Sequence, residues 1–215
     1  NPQTEGNVFM KVTIEMQSYI AHPFWSARNK VIEIQKRSGV ARQRSDEKRM
    51  AALKAECAKQ GITYAQYQQL EIEANEPWYR RPNGGVIYIS RHQIAGALVQ
   101  TIGESPKALR GQFNKDNFRS QVQIGDFETT KTEQDGLFER FVKLEGSNQR
   151  SFQVNPYLGR YLDKGEPFEA IGTISCAKTD EQTVEALLRA AVERVGIGAC
   201  RKMGFGRGTI LKIEK

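Results

Sequence analysis

The sequence predicts an α+β protein: a βαββαβ core carrying a helical insertion and a β-hairpin arm. Three observations predict it. The first and last regular segments alternate apolar with polar residues, as half-buried strands do. A clear 3.6-residue apolar stripe runs from Val184 to Val195, just before the closing strand. Between residues 120 and 155, extended runs are separated by polar turns. A chain of 215 residues accommodates this as one domain, 1–215, with insertions.

The elements follow in order. From Val8 to Tyr19, Val12, Ile14 and Met16 point one way and Lys11, Thr13, Glu15 and Gln17 the other. Residues 36–78 read as a mostly helical insertion. Ser45 caps a helix with Asp46 and Glu47 in its first turn, and Thr63 with Gln66 forms a capping box for another. Val86 to Ile89 is a short strand. Ser90 with Gln93 caps the next helix, which buries Ile94, Leu98 and Ile102 and ends at Gly103. Gln121–Glu128 and Leu137–Glu145 flank the polar stretch Thr129–Gly136, and Gly146-Ser147-Asn148 turns toward Ser151–Val154. This region, 120–155, reads either as arms reaching a partner or as ordinary edge strands. Pro167 to Cys176 is a strand, Thr179 with Gln182 is a further capping box, and Thr209 to Glu214 closes the chain. The order is ferredoxin-like or RRM-like.

Composition narrows the partners. The net charge is +7 and the pI near 9.3. A polyanion such as nucleic acid is the simplest counterpart, although a basic protein need not bind one. Nine Lys and Arg against three acidic residues lie between 28 and 54, so this block holds nearly all of the surplus. Its charges are either a solvated helical face or an RNA contact, with Arg42 and Arg44 the named candidates. Cys57, Cys176 and Cys200 are odd in number and far apart, which fits a reducing cytoplasm and no zinc site. No apolar run approaches the roughly 18 residues of a membrane span, and no secretory signal is visible. Because residue 1 is Asn, the natural start is expected to be trimmed or to lie outside this chain.

The densest motif is Gly196-Ile197-Gly198, five residues, then Gly204-Phe205-Gly206. At a background glycine usage of about 7%, such spacing is a rare coincidence. Glycine lets backbone N–H groups face a ligand with no side chain in the way. Arg194, Arg201, Lys202 and Arg207 surround that backbone. Together they describe an anion site suited to phosphate; the alternative is a tight turn packing a helix on a sheet. Phe24, Trp25, Trp78, Tyr79 and Phe205 are candidates either for base stacking or for the core. Trp78-Tyr79-Arg80-Arg81, bracketed by Pro77 and Pro82, is the best candidate for an exposed mixed patch.

The Gly-apolar-Gly-x5-Gly-apolar-Gly loop, after an amphipathic helix and before a final strand, resembles the RAMP superfamily of CRISPR-associated RNA-binding proteins. Arg201 within the loop and Arg207 after it share the resemblance. Lys11-Val12-Thr13-Ile14-Glu15 and the segment from Tyr88 to Leu98 are compatible with it. The resemblance implies a ferredoxin-like fold and RNA binding. It implies guide-RNA backbone subunits that polymerise along RNA, subunits that hold the guide's 5′ handle, or endoribonucleases that cut repeat RNA. It also implies that 120–155 is a thumb-like arm; the helical insertion has no counterpart.

Acid–base chemistry is thinly supplied. The chain has two histidines, His22 and His92. His22 falls roughly where repeat-cleaving RAMP enzymes carry a general base, but Pro23 follows it and no Lys, Tyr or second His is tied to it by spacing. Ala21 to Lys30, where some backbone subunits carry a metal-binding acid, holds no Asp or Glu. The reading is therefore an RNA-binding subunit of a CRISPR-type ribonucleoprotein in antiviral defence, cytoplasmic, non-catalytic, with no cofactor, metal or membrane. Its partners would be guide or repeat RNA, copies of itself and other subunits. The expected RNA contacts are Arg194, Gly196, Gly198, Arg201, Lys202, Gly204, Gly206 and Arg207 in the loop region 196–208 and its flank. Arg80, Arg81, Arg42 and Arg44 complete the set. The alternatives are a metal-independent endoribonuclease using His22, and a phage-borne mimic or protein-interaction module with this fold.

Overall fold

The computed structural model describes residues 6–21, 25–82, 85–143 and 150–215. In chain order, strands β1 (Asn7–Met16) and β2 (Ser18–Tyr19) precede helices α1 (Trp25–Ser38), α2 (Asp46–Lys59) and α3 (Tyr64–Asn75). Next come β3 (Tyr79–Arg80), β4 (Ile87–Ile89), α4 (Arg91–Glu104), α5 (Lys107–Arg110) and α6 (Phe118–Gln121). Strands β5 (Gln123–Ile124), β6 (Phe127–Thr129), β7 (Gly136–Lys143), β8 (Arg150–Gly159) and β9 (Phe168–Ala177) follow. Helix α7 (Glu181–Ala190), a π turn over Ala191–Val195, a 3-10 turn over Arg201–Met203 and β10 (Gly208–Glu214) complete the chain.

The chain divides into two compact units, Asn1–His22 with Tyr79–Lys215, and Pro23–Trp78. The second unit is helical and begins before the predicted residue 36, because α1 already starts at Trp25. Its core is Val31, Ile34, Cys57 and Tyr67. Both predicted caps form: Lys48 N donates to Ser45 Oγ at 3.4 Å, and Thr63 and Gln66 exchange the two bonds of a capping box at 2.8 and 3.1 Å.

In the first unit an antiparallel sheet runs β10-β1-β9-β6-β4-β3, with β5 also pairing β9. Strands β10, β1, β9 and β6, with helices α4 and α7, form the βαββαβ core; β4 and β3 extend its edge. Met10, Val12, Ile14 and Met16 of β1 are buried while Asn7, Phe9 and Lys11 are exposed, the alternation the sequence predicts. The predicted stripe of α7 is buried through Val192. A 3-10 turn over Lys178–Asp180 delays the helix to Glu181, with Asp180 at its cap in place of the expected Thr179 box.

The hairpin region differs from its reading in one respect. Residues 121–128 do not pair with 137–145. Instead β5 and β6 join the main sheet, and β7 pairs β8 in a second sheet with β2. The expected turn at 146–148 lies outside the described residues. Two-residue alternation divides the β7–β8 hairpin: Phe138 and Tyr157 are buried, whereas Leu137, Phe141, Phe152 and Val154 are exposed. Among the described residues, no helix is long and apolar enough to cross a membrane.

Candidate functional site

The glycine loop leaves α7 through the π turn and returns into β10. All four glycines have φ between 82 and 93°, the left-handed region that a Cβ penalises. Three of them are also hemmed in by backbone. A Cβ on Gly206 would lie 2.0 Å from Ile197 O, one on Gly198 2.4 Å from Ile20 O, and one on Gly196 3.0 Å from Phe205 O. Around Gly204 there is open space. The loop is therefore laid directly on the end of β2, at Tyr19 and Ile20, and on itself.

That packing changes the role of the glycine amides. Gly196 N donates to Ala191 O at 2.7 Å, Gly206 N to Ser18 O at 2.8 Å and Gly204 N to Arg201 O at 3.0 Å. Ile197 N donates to Gly206 O and Ala199 N to Ile20 O, both at 2.8 Å. The amides of Gly196, Gly204 and Gly206 are spent on the chain's own carbonyls, so these three do not face outward as an open nest would require. Phe205 is likewise no stacking platform. It is buried with Ile20, Phe138 and Tyr157, and its ring centroid lies 4.9 Å from that of Phe138. Tyr19, wholly buried behind Gly198, donates its hydroxyl to Gln93 Oε1 at 2.5 Å, and burial pushes its phenol well above the ordinary range. Strand β2, the loop and the start of α4 are thus tied together.

What the packed loop presents is charge. A cleft of about 440 Å³ is lined by Arg140, Arg194, Arg201, Lys202 and Arg207. Its lining includes one carboxylate, Glu104, and no histidine. Among the described residues, Arg194, Arg201, Lys202 and Arg207 make no ion pair and no side-chain hydrogen bond. Arg140 was missed by the sequence reading. Cross-strand pairing places it opposite Gln153 on the face that also carries buried Phe138 and Tyr157, and Phe138 and Tyr157 pack on Phe205. Its Nη2 donates to Gln153 Oε1 at 3.4 Å, while its buried Nε has no partner. The one available signal was a lone arginine in the apolar-rich run Leu137–Val142. Cys200 lines the same cleft; burial pushes its thiol up, against the pull of Arg140.

Arg80 and Arg81, on the same unit, do not line this cleft. Arg81 pairs with Glu128 at 2.9 Å and Asp126 at 3.4 Å and stacks over the Tyr88 ring at 4.4 Å. Arg80 donates to the carbonyls of Gly85 and Thr132. Trp78 is 2% exposed, so the expected exposed patch is a buried tryptophan beside two engaged arginines. Arg42 and Arg44 are exposed on the helical unit. His22 and Phe24 lie outside the described residues, as does the side chain of Trp25. No group of three or more His, Cys, Asp or Glu that could hold a metal occurs among the described residues. The arrangement can hold an anion; it brings together no acid–base pair.

No protein-family model and no curated protein matches the chain. A chain in the cryo-EM structure of type III-B Cmr-beta bound to cognate target RNA aligns with 97% of this chain, at a TM-score of 0.51 and 11% identity. This chain spans 60% of that one. The chain has a RAMP-like fold. The crystal structure of Cmr6 from Pyrococcus furiosus aligns over 96% of this chain and 98% of its own, with a TM-score of 0.36 and 10% identity. Within the RAMP-like fold the glycine loop is a rigid support, and the cations around it are the accessible chemistry.

Proposed function

We propose that this protein is an RNA-binding subunit of a CRISPR-type ribonucleoprotein complex that holds guide RNA by its phosphate backbone without cutting it. The observation that carries the reading is the cleft: Arg194, Arg201, Lys202 and Arg207, none of them ion-paired among the described residues, converge with Arg140 on the glycine loop of a RAMP-like fold. Guanidinium forks bind phosphate oxygens bidentately and read no base, which suits a protein that must carry guides of any sequence. The chain acts as one RAMP-like domain with the helical unit Pro23–Trp78 as its insertion, and Arg42 and Arg44 on that unit are further candidate RNA contacts. It works in the cytoplasm, in antiviral defence. The outer face of the β7–β8 hairpin supports contact with other copies or subunits. Phe141 and Phe152 are 68% and 52% exposed, with their rings 5.2 Å apart.

The test is incubation with labelled repeat-containing RNA without metal, across a salt series. The expected result is binding that weakens steeply with salt, with the RNA left intact. Specific cutting that is lost in His22→Ala would overturn the non-catalytic reading. Absence of RNA binding at low salt would leave the protein-interaction reading.

A further inference from the structure

A second cavity, of about 560 Å³, opens on the solvent face of the main sheet. That volume falls within the range of small-ligand sites. The two-residue alternation of β1 turns Phe9 out of the core, and its ring is 67% exposed on the cavity wall. Pairing of β1 with β9 and of β9 with β5 sets Phe9, Ser175 and Gln123 side by side on adjacent strands. Arg91 and His92, from the first turn of α4, and Arg119, from α6, also line it, and no Asp or Glu does. Among the described residues, the guanidinium groups of Arg91 and Arg119 make no ion pair. Nearby Asp126 accepts the backbone N–H of Arg91 and is itself paired with Arg81.

The cavity also holds an unmet polar group. Ser175 lines it at 5% exposure, and its hydroxyl is buried with no hydrogen-bond partner. The floor is kept low by Gly125. Its N donates to Thr173 O at 2.8 Å, and a Cβ there would lie 2.6 Å from Thr173 Oγ1. An exposed aromatic ring, two unpaired guanidinium groups and an exposed carboxamide make a composite surface. A purely apolar ligand would not use the arginines, and inorganic phosphate would not use the ring. A nucleotide uses both: the base stacks on the aromatic face, the carboxamide of Gln123 donates to and accepts from the base edge, and the arginines take the flanking phosphates.

We propose that this cavity is a base-stacking subsite for single-stranded RNA, with Phe9 as the platform and Arg91 and Arg119 as the phosphate contacts. It goes beyond the phosphate cleft, which uses none of these residues. The test measures fluorescence anisotropy at low salt with a short oligouridylate and with an abasic ribose-phosphate oligomer of the same length. Phe9→Ala weakens oligouridylate binding roughly tenfold and leaves the abasic oligomer unaffected, since stacking requires a base. Phe9→Trp retains the affinity, whereas Phe9→Leu, which keeps apolar bulk but has no π face, does not. Arg119→Ala weakens both probes. Loss of the phosphate cleft through Arg201→Ala with Arg207→Ala also weakens both probes, so the two readings fail separately. Equal oligouridylate affinity in the wild type and Phe9→Ala overturns the subsite. So does an equal loss on the abasic oligomer, competition by polyaspartate as effective as by oligouridylate, or no binding of either probe by the wild type.

Discussion

Arg81, just after β3, sits between Glu128 and Asp126 and against the Tyr88 ring, whereas Arg194, Arg201, Lys202 and Arg207 around the glycine loop make no ion pair among the described residues. Both segments are rich in arginine, and both contain or adjoin glycine and aromatic residues. The difference is made by neighbours distant in sequence. The register of β4 with β6 places Glu128 across from Tyr88, which itself pairs with Tyr79 beside Arg81. The loop is flanked by the β1–β2 turn and the inner face of β7–β8, which meet it with carbonyls and aromatic rings rather than carboxylates. Charge count thus locates basic sequence, and strand register decides which of it remains available to a ligand.

The largest expected effect comes from the support beneath the cations. Gly206→Ala must place a Cβ 2.0 Å from Ile197 O at a φ of 82°, and neither backbone segment can yield without losing its own hydrogen bond. Destabilisation of about 3 kcal/mol or more is expected in denaturant unfolding. Gly204→Ala has the same sign of φ but open space around it, so roughly 1 kcal/mol is expected there. Equal losses at the two positions would show that the loop is not held by the close approach seen at Gly206.

The cations come next. Arg201→Ala with Arg207→Ala is expected to leave unfolding nearly unchanged and to weaken binding of all RNA sequences alike. The slope of log affinity against log salt should fall by roughly one to two. An unchanged affinity would remove the cleft from RNA binding. Arg140→Ala is expected to lower the slope by about one, while Arg140→Lys retains most of it, because a point charge still serves a phosphate. A hairpin residue acting in the cleft would then join the two sheets of the first unit in one function.

The comparison also explains what could be read from the chain. The alternation of β1, the stripe of α7 and the box at Thr63 are local patterns, and each is present. The glycine spacing was legible, but its cause was not. The atoms that exclude a Cβ from Gly198 belong to Tyr19 and Ile20, near the other end of the chain, and nothing in the loop's own sequence names them. Arg140 was hidden for a related reason. Leu137, Phe138 and Phe141 are apolar on both faces of β7, so alternation alone could not show which face packs on Phe205 and carries Arg140 with it. Trp78 misled in the opposite way. Flanking prolines mark a turn, yet a turn can still tuck a large ring inward.

The smallest expected effect tests the other half of the comparison. Arg81→Ala removes two partly exposed ion pairs and one cation–π contact. Exposed pairs contribute roughly 0–1 kcal/mol, and the ring contact about as much, so unfolding should shift by about 1 kcal/mol. That loss should shrink at high salt, since screening weakens the pairs in the wild type. RNA affinity and its salt slope should not move, because the guanidinium is already committed to two carboxylates. If Arg81→Ala instead lowers the slope as much as a cleft arginine does, the ion pairs open when RNA binds. Pairing in the free protein would then no longer separate a structural arginine from a binding one, and the basic strand edge would belong to the interface with the loop.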